Sequence, residues 1–148
     1  MVPNQEANLV MMSFFQIQTS LKLSHWRTHS YAEHKALDEF LGGFLEKVDE
    51  FIEIYQGKYG RFDLKKKSGE LTVYQIDKED IVRYLDCLVG FLVGENAKDC
   101  KKFKITPKKD YCGVTVTSIL KKEDTDLFNL RDEILGMVNK LKYLLTLK

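Results

Sequence analysis

The sequence predicts an all-α fold, an antiparallel four-helix bundle, on three observations. Four stretches carry apolar residues at three- and four-residue spacing, the period of one helix face. The first two stretches are joined by only a few residues, so the chain must reverse between them. The second spans Tyr31 to about Gln56, about 39 Å at 1.5 Å per residue, a length that suits a bundle.

Each element has its own justification. In the first helix, Asn8 to Thr28, Val10, Phe14, Ile17 and Leu21 follow a 4-3-4 spacing, with His25 next on the stripe. Ser30 followed by Glu33 is a capping-box signature, so the second helix starts there. Its face is Leu37, Leu41, Phe44, Val48, Ile52 and Tyr55, and Gly57 is the expected C-terminal cap. A glycine- and lysine-containing connection follows, with a short extended piece expected at Leu71 to Tyr74. The third helix opens near Asp77 and presents Ile81, Tyr84, Leu85, Leu88, Phe91 and Leu92. Residues 96–122 read as a long irregular insertion between the third and fourth helices. It holds Pro107, a β-branched run at Val114 to Thr117 suggesting a hairpin, and eight lysines between Lys98 and Lys122. The fourth helix starts near Thr125 with Leu127, Leu130, Ile134, Val138, Leu141 and Leu145 in a sustained stripe.

The 148 residues read as a single domain, 1–148, long enough to bury a core without disulfides. A hydrophobic content of 44% and a charged content of 30% are those of a soluble globular chain. A net charge of +1 excludes a generally basic nucleic-acid binder and an acidic tail protein. No run approaches the apolar length of a membrane span, and the start "MVPNQEANLV" lacks a signal peptide's pattern, so no membrane partner and a cytoplasmic location are expected. Cys87, Cys100 and Cys112 form no CxxC pair and read as reduced thiols.

The chemistry lies in "HKALDEFLGGFLEKVDEFIE". His34 with Asp38, and Asp49 with Glu53, are i, i+4 pairs of imidazole and carboxylate, ligand types for Fe, Mn or Zn. Asp38 and Asp49 lie about 16 Å apart along the helix, far beyond the reach of one metal. A second copy resolves this. If the second helix packs antiparallel on its own copy about a two-fold axis between Gly43 and Phe44, His34 faces Glu53 and Asp38 faces Asp49 of the mate. Gly42 and Gly43, each costly in a helix interior, then lie beside the axis, where missing side chains allow close approach.

The segment "SHWRTHSYAEHKALDEFLGGFLEKVDEFIE" resembles the Dps branch of the ferritin-like superfamily: a His-Trp pair late in the first helix, then HxxxD and DxxxE on the second. "YAEHKAL", "YQGKYGR" and "DTDLFNLRDEILG" resemble more closely a group of short Dps-like proteins of phages and large DNA viruses. The resemblance implies a ferritin-like bundle and a ferroxidase site between two-fold-related subunits, with His25, His34 and Asp38 from one and Asp49 and Glu53 from its mate. It implies Fe(II) oxidation to Fe(III) by hydrogen peroxide or oxygen, with Asp38 and Glu53 as the strongest ligands, another divalent metal being the alternative to iron. Iron storage in a hollow homo-oligomeric shell of up to twelve subunits, in the host cytoplasm or virion, and protection from oxidative stress are further implications.

The departures are specific. The turn between His25 and His34 is shorter than in typical Dps proteins, with His29 a competitor for the place of His25. There is no lysine-rich N-terminal tail for DNA, and the ExxH motif of intrasubunit di-iron bundles is absent. Two rival readings stand beside the first: a structural or virion-associated bundle with a vestigial site, and a DNA-binding module using the lysine-rich insertion.

Overall fold

The computed structural model describes residues 5–65, 71–94, 103, 105 and 114–147. They form four helices and no strand: α1 (Gln5–Arg27), α2 (Tyr31–Tyr59), α3 (Ile81–Val93) and α4 (Thr125–Leu144). Single 3-10 turns occupy Lys78–Asp80 and Thr117–Ile119. None of these helices is long and apolar enough to cross a membrane.

The predicted apolar stripes are the core. Val10, Phe14, Ile17 and Leu21 of α1, Leu37, Leu41 and Phe44 of α2, and Leu127, Ile134 and Val138 of α4 are all buried. Phe14 sits at the centre, edge-on to Phe44, Phe51 and Phe91 at ring-centroid distances of 5.8–6.2 Å, so one side chain joins α1, α2 and α3. Helix α2 is the hub, packed between α1 and α4. Its contacts with α4 run from Lys58–Asp126 through Lys47–Glu133 to Glu39–Lys140, descending in one as they rise in the other, so these helices are antiparallel.

The turn between α1 and α2 is set locally. Thr28 Oγ1 accepts the Ser30 N–H, and Ser30 Oγ accepts the Glu33 N–H at 3.2 Å, the cap that the serine and its spacing announce. At the other end α2 does not stop at Gly57. It continues to Tyr59, and Gly60 closes it at φ 98°, a conformation natural to glycine. The reason is tertiary: the added half-turn brings Tyr59 to Asp124 on the approach to α4.

The extended piece expected at Leu71 to Tyr74 is irregular chain, pinned where the Tyr74 N–H donates to Ser20 Oγ. The β-branched run forms no strand either. The Val116 N–H donates to the Phe91 carbonyl and the Thr117 hydroxyl to that of Leu92, so the run caps the end of α3. Most of the expected insertion over 96–122 lies outside the described residues, although Phe103 and Ile105 are buried in the core. Cys87 is buried.

The two glycines at the middle of α2 divide their roles. A Cβ on Gly43 would stand 2.9 Å from the sulfur of Met137, so this glycine lets α4 approach within the chain. Gly42, one residue earlier, is exposed, and a Cβ there would meet nothing within 4 Å.

Candidate metal centre

Two histidines from neighbouring helices meet at the α1–α2 turn. The short connection lays the rings of His25 and His34 face to face, centroids 3.9 Å apart and planes 17° from parallel. Their hydrogen bonds are reciprocal: His25 Nδ1 donates to the His34 carbonyl and His34 Nδ1 to the His25 carbonyl, each at 2.9 Å. A carbonyl oxygen only accepts, so Nδ1 carries the proton in both rings. In the neutral form each Nε2 then keeps its lone pair, the arrangement that orients an imidazole as a metal ligand.

Asp38 lies one turn after His34. Its Oδ1 is 3.8 Å from His25 Nε2, beyond hydrogen-bond reach. Two donors each about 2.1 Å from one metal lie about 3–4 Å apart, so the gap matches a shared ion. The carboxylate faces outward with its side chain 68% exposed, whereas His25 is 8% exposed. The site therefore lies on the outer surface of the α1–α2 pair rather than inside the bundle.

The structure stacks His25 on His34 and sets Asp38 3.8 Å from His25 Nε2, and Asp49 and Glu53 lie apart from them. Asp49 and Glu53 are exposed further along the same line of α2, with Asp49 about 16 Å from Asp38 by helical rise. Among the described residues no group of three His, Cys, Asp or Glu side chains is disposed to hold a metal. One chain presents separated donors, a histidine-rich set near the turn and an acidic pair beyond the glycines. His29, the competitor for the place of His25, is exposed and lines a polar pocket with Arg27, Ser30 and Lys78. Trp26 is exposed beside the pair, with the Lys22 ammonium 5.8 Å from its ring centroid.

A second polar cluster was not anticipated from the sequence. At the far end of α2, Lys58 Nζ lies 2.7 Å from both Asp124 and Asp126, and the Tyr59 hydroxyl donates to Asp124 at 2.5 Å. The Lys121 N–H donates to the same carboxylate at 2.8 Å. Asp124 is only 2% exposed. Burial pushes its carboxyl up, but the hydrogen bonds from Lys58, Tyr59 and Lys121 outweigh burial and hold it below its ordinary value. Bonds to Asp124 and Asp126 hold the Lys58 ammonium well above the usual lysine range, and burial with the Asp124 bond pushes the Tyr59 phenol up to about 12. The available signal was acidic residues beside the start of α4 and a lysine at the end of an antiparallel neighbour. Three donors of the same chain converge on the Asp124 carboxylate, so this cluster joins the end of α2 to the start of α4.

Neither curated proteins nor solved structures give a match to this chain. A family model does, over residues 25–104, a span that opens on His25 and takes in His34, Asp38, Asp49 and Glu53 but not α4. The chain thus belongs to a family of unknown function, DUF5856.

Proposed function

We propose that the chain is a ferritin-like ferroxidase of the Dps type, which binds Fe(II) between two copies, oxidises it and sequesters the product. The observation that carries this reading is the His25–His34 clasp, which commits both Nδ1 atoms to backbone carbonyls with Asp38 a metal's width from His25 Nε2. In the symmetric pair, Asp49 and Glu53 of the mate complete each set, giving imidazole and carboxylate donors of the kind that suit iron. Two Fe(II) ions there each lose one electron to hydrogen peroxide, which takes up two protons and leaves as two waters. The carboxylates stabilise the Fe(III) that forms. Consuming iron and peroxide together suppresses radical damage.

The test is Fe(II) addition without oxygen, followed by peroxide, with the absorbance of Fe(III) as readout. Saturable oxidation faster than in buffer is expected, and Asp38→Ala should slow it by at least about tenfold. Oxidation no faster than buffer, or untouched by Asp38→Ala, overturns the reading.

A further inference from the structure

We propose that a divalent cation gates the pairing of two copies of this chain through α2, so that metal binding and self-association are one coupled equilibrium. The inference rests on the shared-site reading above and adds its regulation.

Three features of the exposed line of α2 lead to it. First, its carboxylates are uncompensated. Glu39, Glu133, Asp86, Asp124 and Asp126 each have a lysine within 4 Å, whereas Asp49 and Glu53 have no charged partner among the described residues and Asp38 has only His25. Second, the same mirror point that sets His34 against Glu53 sets Asp38 against Asp49. Each assembled site therefore collects three carboxylates, two of them directly opposed. Without a cation these like charges resist pairing, and with one they become its ligands. Third, the mirror point pairs Leu45 with Gly42. Leu45 is 37% exposed, and the space over Gly42 is open. An apolar knob thus meets a matching gap on a second copy, between the two acidic sites, and this complementarity identifies the occupant of the face as the same chain. One leucine seated on one glycine is a small contact to set against opposed carboxylates, so the cation decides the balance.

Coupling of this kind is reciprocal, and with two identical sites per pair saturating metal tightens pairing by the square of the factor by which pairing tightens metal at each site. The experiment is sedimentation velocity of the full chain over a concentration series, in chelator and with Mn(II) as a probe that needs no oxidant. Mn(II) should strengthen dimerisation by at least about tenfold, within the usual coupling range of about 5- to 150-fold. The Mn(II) affinity per site, read from free Mn(II) by electron paramagnetic resonance, should rise with protein concentration by about the square root of that factor, about threefold for a tenfold gain in pairing. The double variant Asp49→Asn, Glu53→Gln, at two exposed positions, should pair more tightly than the parent in chelator and lose its response to Mn(II). Equal dimerisation with and without Mn(II) overturns the gating and leaves the shared site standing. A monomer under both conditions overturns both. A double variant that pairs no better than the parent in chelator overturns the repulsion and with it the gating.

Discussion

The two ends of α2 hold the same kinds of atom to opposite effect. Near Gly60, the Asp124 carboxylate is buried and receives Lys58, Tyr59 and a backbone N–H, so every interaction it needs comes from its own chain. Near Ser30, Asp38 is exposed with an imidazole at 3.8 Å and, among the described residues, no lysine or arginine beside it, while His25 and His34 spend only one nitrogen each. A closed cluster stabilises the fold, because breaking it strands a buried charge. An open one leaves donors for something outside the chain. Charged residues alone do not separate the two cases; the count of satisfied positions does.

The largest effect expected on this contrast is at the closed end. Asp124→Ala removes the acceptor of three hydrogen bonds and should lower stability by about 2–4 kcal/mol in chemical denaturation, while metal binding per folded chain is unchanged. Loss of metal binding in that variant, with the fold intact, breaks the division of labour.

The glycines between the two ends sharpen it further. Gly42→Ala fills open space in a helix interior and should raise monomer stability by about 0.5–1 kcal/mol. Gly43→Ala should return less, because the Met137 sulfur has to move. A thermal melt of the two variants side by side checks the order, and a larger gain for Gly43→Ala reverses the assignment of which glycine faces α4.

The smallest effect is an expected plateau. The Asp124 carboxyl is lowered on folding, so its stabilisation is present above the ordinary carboxylate range and lost as pH falls through its folded value. The Lys58 ammonium is raised, so its contribution is complete below the ordinary lysine value and lost only as pH rises through its folded value. Between those limits the closed end contributes a constant amount, and stability measured across the neutral range in Asp124→Ala and in the parent should run parallel. Metal affinity at the open end should fall as the solution is acidified, since protons compete for the same lone pairs.

The sequence made the helices legible because helix formation leaves a local record. The 4-3-4 spacing of Val10, Phe14, Ile17 and Leu21 places the α1 core, and Ser30 with Glu33 places the start of α2. What escaped was decided at a distance. Gly57 reads as a stop, yet α2 passes through it because Tyr59 has a partner 65 residues away. Val114 to Thr117 reads as strand, yet its hydrogen bonds go to the end of α3. The donor pattern on α2 was visible as spacing. The reciprocal bonding of His25 and His34 was not, since it involves backbone carbonyls that every residue carries.

The reciprocal histidine bonds also bear on the order in which the molecule assembles. His25 and His34 are nine residues apart, whereas Tyr59 and Asp124 are separated by 65. Closing a short loop costs less chain entropy and is faster than closing a long one. The α1–α2 hairpin, with its reciprocal histidine bonds, is therefore expected to form ahead of the docking of α4. The paired imidazoles are then set by a local contact, before the long-range cluster at Asp124 closes.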